Sequence, residues 1–403
     1  MVMGDRLMKG SWKIVSIVAI VVIVTIGNIR AQGSGRQDAG APLPLSETAR
    51  ASIITCGPGD DFYTTFGHSA LRIQDTAQGI DLVYNYGTFD FDTPHFYWKF
   101  MRGRLDYMLG RSSFEEFMAE YRYYGRAVWE QTLNFTSQEV CNLFLLLEQN
   151  YLPEYRYYRY DFFRDNCATR PRDMVYLACG KQEVESGKRK VESGMSYRDY
   201  LHSAMRDKLE WWALGVDLLL GLPADHKCTA DEAMFYPLVM EQEFAEMRRD
   251  GQPLVQPTVT LLEENRAEVP DSFPPFVVFT LVFAAVAVLG IRGQKGLKWQ
   301  KGFVVVSRVL FVLAGLIGLF LLFMWFGTNH YCTEWNLNIL WLSPLLLLIA
   351  IRMERSPKWA LWLQLAMFAV AVVWVVWCHL SIAFVPLIFT LALCTGALLK
   401  VNR

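Results

Sequence analysis

Five apolar segments fill the last third of the chain and constrain its fold more than any other feature. They span residues 276–291, 302–326, 337–351, 359–378 and 381–399. A helix needs ~20 apolar residues to cross the ~30 Å hydrocarbon core of a bilayer. Two of the segments are shorter, but aromatic residues flank them, and such side chains are favoured at the membrane surface. The pattern predicts an α-helical transmembrane domain of about five helices over residues 275–400.

Cationic residues lie in alternate connections between these segments and in the tail. They are Arg292, Lys295, Lys298, Lys301, Arg352, Arg355, Lys358, Lys400 and Arg403. Cytoplasmic loops of membrane proteins are enriched in lysine and arginine. If the chain before the first segment lies outside, all of these residues lie inside. The charges therefore predict an exported domain followed by spans that end in the cytoplasm.

The first 30 residues have the layout of an export signal. Arg6, Lys9 and Lys13 precede a short apolar run at residues 14–26, and small and polar residues come next. This order is typical of a signal peptide, although an uncleaved N-terminal anchor has the same pattern. Either alternative exports the next part of the chain, a linker rich in Gly, Pro and Ser at residues 31–46 and then a domain at residues 47–270.

The exported domain combines strand-like and helix-like patterns. ASIITCGPGD, HSALRIQD and DLVYNYGTFDF alternate or run apolar around turn residues, which predicts strands of one sheet. SQEVCNLFLLLEQN has apolar residues at helical spacing after a cap-like Ser137, with Cys141 near the apolar face. We therefore predict an α+β domain. A later segment, residues 196–223, is compatible with a core helix or with a helix face that rests on the bilayer.

Composition and spacing exclude some functions. The formal net charge is −1 and the exported domain has no sustained basic run, so a nucleic-acid partner is not expected. No two histidines have the i, i+4 spacing of a helix-borne metal site, and no CxxC motif occurs. We predict neither a metal site nor a cofactor, and thiol chemistry is the better candidate.

Cys167 stands in YDFFRDNCATRPRD, residues 160–173. Exported proteins favour disulfides, yet the exported domain holds an odd number of cysteines, so at least one is free or pairs elsewhere. Because Pro171 disrupts a regular first turn, the following helix is irregular or restarts near Thr169. A helix start favours the thiolate. Cys167 is therefore a structural thiol, half of a disulfide, or a nucleophile with His68, in TTFGHSALRI, as its base.

These motifs resemble those of a known family. GHSALR, VYNYGTFDF, PHFYWKFMRGRLDYML, YDFFRDNCATRPRD and HYCTEWNLNILWLSPL are similar to segments of the Lnb family of bacterial lipoprotein N-acyltransferases, found in Bacteroides-like bacteria. The likeness covers nearly all of the chain after the signal segment. It implies a circularly permuted papain-like fold, similar to that of lecithin retinol acyltransferase, in which the histidine precedes the cysteine. His68 and Cys167 have that order.

The resemblance implies catalytic roles for individual residues. Cys167 is then the nucleophile, and His68 is the base that activates it. Asn85, on the predicted neighbouring strand, is our candidate for the residue that orients the imidazole, unless its side chain faces solvent. Asn166, or the backbone N–H of Cys167, is the candidate donor to the oxyanion.

Other polar residues are candidates for substrate binding. Arg72 lies in the same motif as His68. His330, Asn336 and Asn338 lie between the second and third apolar segments, in a loop that the charge pattern puts on the side of Cys167. We predict that this loop holds a lipid headgroup or the N-terminus of the substrate, and simple solvation is the alternative.

The reaction of the family supplies the functional expectation. An acyl chain passes from a phospholipid to Cys167 as a thioester, and then to the α-amino group of the lipidated N-terminal cysteine of a diacylated lipoprotein. The enzyme then lies in the bacterial inner membrane with its catalytic domain facing the periplasm. Two alternatives remain: a membrane-bound cysteine peptidase or amidase, because Cys–His pairs also cleave amides, and a non-catalytic membrane scaffold.

Overall fold

The computed structural model describes residues 45–401, except 62–63, 90–92, 181–183, 186–193, 206–208 and 267–272. The predicted signal segment and nearly all of the predicted linker lie outside the described residues.

The exported part is an α+β domain built on an antiparallel sheet. Its strands are β1 Arg50–Cys56, β2 His68–Asp75, β3 Ile80–Thr88, β4 Asp106–Ser113, β5 Val128–Thr132, β6 Tyr157–Arg159, β7 Val184–Glu185, β8 Arg248–Arg249, β9 Gln252–Pro253 and β10 Val259–Leu262. Seven strands form one sheet in the order β10-β5-β1-β2-β3-β4-β6, and β7, β8 and β9 form a small second sheet. The three strands predicted from the sequence are confirmed as β1, β2 and β3.

Helices cover both faces of the large sheet. In this domain they are α1 Phe96–Met101, α2 Phe114–Tyr124, α3 Ser137–Tyr151, α4 Thr169–Cys179, α5 Tyr197–Met205, α6 Glu210–Leu219, α7 Ala230–Ala233 and α8 Pro237–Glu246. Side chains alternate along each strand, so Ile53 and Leu71 pack on one face with α3, α4 and α8. Ile54 and Ala70 pack on the other face with α2. The sheet is therefore the centre of a three-layer domain.

The predicted helix over residues 137–150 is confirmed, with its cap one residue earlier than expected. Thr136 is the N-cap, and its hydroxyl accepts from the backbone of Glu139 while the Glu139 carboxylate bonds back to the Thr136 backbone. This capping box satisfies two N–H groups that an uncapped helix start leaves unpaired. The helix packs on the sheet through its apolar side, which includes Leu143 and Leu147.

The C-terminal part is a bundle of apolar helices. They are α9 Pro275–Gly293, α10 Leu297–Gly327, α11 Leu345–Arg352, α12 Lys358–Trp377 and α13 Phe384–Val401. Five segments of the described chain are long and apolar enough to cross a membrane. The third differs from the prediction, because α11 forms only half of it and the 3₁₀ turn Leu337–Leu340 precedes it. Pro344 at the N-cap of α11 is the local reason for the break, since its ring disfavours a helix that runs through it.

The segment at residues 196–223 forms two helices, α5 and α6, and the second packs against the bundle. The Trp211 indole N–H donates to the carbonyl of Phe273 over 2.9 Å, and its ring lies 5.6 Å from that of Phe279 in α9. Leu214 is buried in the core of the bundle. Of the two alternatives left open by the sequence, the structure therefore supports a core helix for the apolar half of this segment, packed against the bundle.

A buried ion cluster fastens the exported domain to the bundle. Asp217 in α6 is fully buried, and its carboxylate bonds to the Arg198 guanidinium at 2.9 Å and to the His202 ring at 2.8 Å. The same carboxylate accepts the backbone N–H of Ser381, between α12 and α13, at 2.7 Å. Buried charges persist only when they are paired and hydrogen-bonded. The cluster therefore fixes this loop of the bundle against the exported domain.

Candidate functional site

The sheet opens at the end where Cys167 lies. Pairing of β2 with β3 stops at Leu71 and Tyr84. Both strands continue beyond that pair, β2 back to His68 and β3 on to Thr88. At this end Gly87 has φ +91°, and a Cβ there would lie 3.5 Å from the Cβ of Cys167. Glycine therefore allows both the backbone turn and the close approach of the cysteine.

Helix α4 supports Cys167 from its N-terminal end. The helix begins at Thr169, one of the two alternatives that the sequence left open, so that Pro171 falls in the first turn. A missing N–H is tolerated there, since the first four N–H groups of a helix have no partner within it. Cys167 consequently stands immediately before the helix, with its side chain directed to the open end of β2 and β3.

The Cys167 side chain is 8% exposed and its sulfur lies among hydrogen-bond donors. Hydrogen bonding from the backbone N–H of Ser69, the hydroxyl of Tyr160 and the backbone N–H of Cys167 itself lowers the pKa of the thiol. Ser69 adjoins His68 in β2, the strand that carries the histidine. Burial raises the pKa of the Cys167 thiol, and these donors and the charge of Arg126 only partly oppose that rise. The sequence-based expectation of a favoured thiolate is wrong for the resting site, because desolvation outweighs the helix start.

His68 is oriented by Asn85. The imidazole Nε2 is hydrogen-bonded to the amide oxygen of Asn85. Because an amide oxygen only accepts, Nε2 carries the proton and Nδ1 is the basic atom. Asn85 is half-buried and bonded, so the alternative in which its side chain simply faces solvent is excluded.

His68 is neutral at physiological pH. Burial lowers its pKa to about 4, the bond to Asn85 opposes this, and the charge of Arg126 adds to it. The resting pair is therefore a neutral thiol and a neutral imidazole. Such a pair can exchange a proton when substrate arrives, which is what general-base activation of a nucleophile requires.

Sequence reasoning missed two residues at the site. Tyr160 donates its hydroxyl to the sulfur, and its ring stacks on Tyr107 with centroids 4.4 Å apart. Arg126 is buried and donates from Nε and Nη2 to the carbonyl of Gly57 at 2.9 and 2.8 Å. Its charge favours the thiolate of Cys167 and the neutral form of His68. Tyr160 opens the stretch that contains Cys167, but nothing in the sequence indicates that its hydroxyl turns back to the thiol.

Asn166 does not fit the predicted role of oxyanion donor or substrate ligand. Its amide N–H₂ donates to the carbonyls of Phe162 and Phe235 at 2.7 and 2.8 Å. Its amide oxygen accepts from the backbone of Ala168 and Thr169 at 2.8 and 2.9 Å. These bonds use both donor hydrogens, so Asn166 caps α4 and fixes the turn that carries Cys167.

Arg72 also differs from its prediction as a substrate ligand. The guanidinium forms two 2.7 Å bonds to the carboxylate of Asp81 and is 3.1 Å from that of Glu130. Its carbon lies 3.4 Å above the ring of Phe114. Arg72 is buried and saturated by these partners, so it joins three strands and a helix.

The predicted substrate loop before α11 instead joins the two parts of the protein. His330 bonds through Nε2 to the carbonyls of Phe100 and Met101 at 3.2 and 3.1 Å. The Asn336 amide donates to the carbonyl of Leu218 at 2.9 Å. The Asn338 amide donates to that of Asp217 at 2.8 Å. Both asparagines are fully buried, so their polar groups close the helix end of α6 rather than face a substrate.

No disulfide forms among the eight cysteines, all of which lie in the part of the chain that the structure describes. Cys167 is therefore not bridged, and the disulfide alternative is wrong. The described residues thus include a buried free thiol at Cys167 and an imidazole at His68 that is bonded to Asn85.

The fold and the site together define a membrane protein with an exported domain that carries a cysteine–histidine–asparagine cluster. Residues 46–200 match the family model described as the Lnb N-terminal periplasmic domain. Residues 267–402 match the Lnb transmembrane domain. The chain therefore belongs to the Lnb family, as its motifs indicated, and its exported domain is periplasmic. No curated protein and no solved structure matches it.

Proposed function

We propose that this protein is a lipoprotein N-acyltransferase of the bacterial inner membrane. It takes an acyl chain from a phospholipid and passes it to the α-amino group of the lipidated N-terminal cysteine of a diacylated lipoprotein. The observation that carries the proposal is the close approach of Cys167 to Gly87, two residues after Asn85, whose side chain is bonded to the ring of His68. A thioester of Cys167 suits the second step, because amines attack thioesters readily.

In the first half-reaction, Nδ1 of His68 accepts the thiol proton while the sulfur attacks the ester carbonyl. The Ser69 N–H and the Tyr160 hydroxyl stabilise the charge that develops on the sulfur. Once the sulfur bonds to the acyl carbon, the backbone N–H of Cys167 no longer needs to stabilise the sulfur and is the remaining candidate donor to the oxyanion, since the Asn166 amide is occupied. The ester C–O bond then breaks, the lysophospholipid oxygen takes the proton from His68, and the acyl group remains on the sulfur.

In the second half-reaction, the amine of the lipoprotein attacks the thioester. His68 accepts a proton from the attacking nitrogen, the C–S bond breaks, and the thiolate leaves. The proton returns from His68 to the sulfur, so the resting neutral pair is restored and the product is an amide. Both substrates are membrane lipids or carry them, which accounts for the attachment of the catalytic domain to a bundle of spans.

The test is an acyl-transfer assay with the full chain in phospholipid nanodiscs. The donor carries a labelled acyl chain, and the acceptor is a diacylated peptide with a free N-terminal amine. The proposal requires label on the peptide as an amide, and none on a control peptide whose amine is acetylated. Label released only as free fatty acid, at the same rate with and without acceptor, would instead identify a lipase. Cleavage of a peptide bond without movement of label would identify a peptidase.

A further inference from the structure

Helix α1 presents aromatic side chains to its surroundings. Tyr97, Trp98 and Phe100 are 52%, 51% and 48% exposed. Exposed apolar clusters of this kind mark surfaces that contact another apolar body. The helix begins soon after β3, which carries Asn85, so the exposed cluster lies close in sequence to the candidate site.

The same helix rests on the outer end of a membrane span. The Trp98 ring stacks on Phe323 of α10 with centroids 5.9 Å apart. Arg102, directly after α1, donates from Nε to the carbonyl of Gly327 at 3.1 Å. Gly327 is the last residue of the span Gln300–Gly327. Since aromatic side chains are favoured at the membrane surface, α1 lies at the level where a bilayer ends.

A row of aromatic rings leads from α1 to the candidate nucleophile. Phe96 lies 5.8 Å from Phe89, Phe89 lies 5.4 Å from Tyr107, and Tyr107 lies 4.4 Å from Tyr160, measured between ring centroids. Tyr160 and Cys167 both lie against Gly87, where an added Cβ would be 3.3 Å from the Tyr160 ring and 3.5 Å from the Cβ of Cys167. We call these four residues the aromatic row. Three of them, Phe89, Tyr107 and Tyr160, are only partly buried.

We propose that α1 and the aromatic row form an acyl portal, along which the acyl chain of the donor phospholipid leaves the bilayer and reaches Cys167. The inference rests on the proposed function and names the surface that holds the donor. Its occupant is an acyl chain because the row is continuous with a membrane span at one end and with the thiol at the other. The rings offer the chain an apolar surface outside the bilayer, so its methylenes need not be exposed to water on the way to the thiol.

Charge at the portal fits a phospholipid. Lys99 lies in the last turn of α1, and the exposed Arg104 follows shortly after it. Arg104 is held by a 3.1 Å bond to the side chain of Asn329, in the loop that follows α10. These cations lie beside the exposed rings, where the phosphate of a lipid would remain while its chain moves toward Cys167.

A chain-length comparison tests the portal. Acylation of Cys167 is measured by mass spectrometry with a long-chain phospholipid in nanodiscs and with a water-soluble butyrate ester. The double variant Trp98→Ser/Phe100→Ser is expected to lower the ratio of long-chain to short-chain rates at least tenfold. Tyr123→Ser is the matched control, because Tyr123 in α2 is 84% exposed, and its ratio should equal that of the wild type. An unchanged ratio in the double variant would overturn the portal.

A second measurement does not depend on the folding of the variant. Wild-type protein is irradiated in nanodiscs whose phospholipid carries a diazirine in the acyl chain. Cross-links are expected in the peptides that contain α1 and Tyr107, and not in the peptide that contains Tyr123. Cross-links confined to the faces of the spans would refute the portal. If the wild type is acylated by the butyrate ester but never by phospholipid, the proposed function itself is refuted. This outcome concerns the wild type alone, so a defect in a variant cannot produce it.

Discussion

The hydroxyl of Tyr160 provides the sharpest test of how the site lowers the barrier to thiolate formation. It donates to the sulfur of Cys167, and this bond opposes the effect of burial on the thiol pKa. Tyr160→Phe removes the donor and keeps the ring that stacks on Tyr107. A hydrogen bond to a charged acceptor contributes about 1.5–3 kcal/mol. We therefore expect acylation of Cys167 to slow roughly 10- to 150-fold, since about 1.36 kcal/mol corresponds to a factor of ten.

Tyr158 supplies the matched control for this substitution. It lies two residues earlier, and its buried hydroxyl has no hydrogen-bond partner among the described residues. Tyr158→Phe should therefore leave the rate within about threefold of the wild type, because no bond is lost. The assay is single-turnover acylation, with alkylation of Cys167 by iodoacetamide against pH, read on its peptide, as an independent measure of the thiolate. Equal rates for both variants would refute the role given to Tyr160.

The site and its attachment to the bundle give three further predictions. The rate of acylation should stay constant between pH 7 and pH 5 and fall only as His68 is protonated near its pKa of about 4. A fall in rate centred near pH 6.5 would contradict the assignment of His68 as the buried general base. Asn85→Ala should slow acylation about tenfold or more, because the imidazole loses its orienting bond; rates like those of the wild type would show that Asn85 is dispensable. Asp217→Ala should lower the free energy of unfolding in detergent by about 3 kcal/mol, because it leaves the buried Arg198 short of a partner. Asp106→Ala is the control: Asp106 is in an exposed ion pair, so this variant should change the free energy of unfolding by less than about 1 kcal/mol.

Strands and helices whose apolar residues repeat at a regular spacing were predicted correctly from the sequence. The alternation in HSALRIQD predicted β2, and helical spacing predicted α3. The five apolar segments predicted the spans, because length and hydropathy decide whether a helix can cross a bilayer. The third span shows the limit of that rule, because hydropathy does not reveal that the helix is interrupted and begins only after Pro344.

Polar residues in the motifs were read less well, for a common reason. Asn166 and Arg72 lie beside the residues of the site, and sequence cannot show that backbone carbonyls and carboxylates already use their donors. Asn338 was read as a ligand in a loop, but its amide closes the end of α6. Asn85 bonds to His68 because the two residues lie on neighbouring strands of the sheet, β2 and β3.

The residues that sequence reasoning missed act through contacts that tertiary packing creates. Arg126 influences both His68 and Cys167 through its charge, although it lies about midway between them in the chain. Tyr160 reaches the sulfur only because the open end of β2 and β3 admits the cysteine beside Gly87. Both contacts depend on tertiary packing, which no local pattern records.

The thioester on Cys167 is the central claim, and intact-mass spectrometry tests it most directly. Wild-type protein is incubated in nanodiscs with phospholipid but without acceptor, treated or not treated with neutral hydroxylamine, and mapped by peptide analysis. Cys228→Ala, which removes another buried cysteine, serves as the control. We expect one added acyl mass on Cys167 in the wild type and the control, removed by hydroxylamine and absent from Cys167→Ala. An acyl mass that persists in Cys167→Ala, or none in the wild type under conditions that support transfer, would contradict the thioester mechanism.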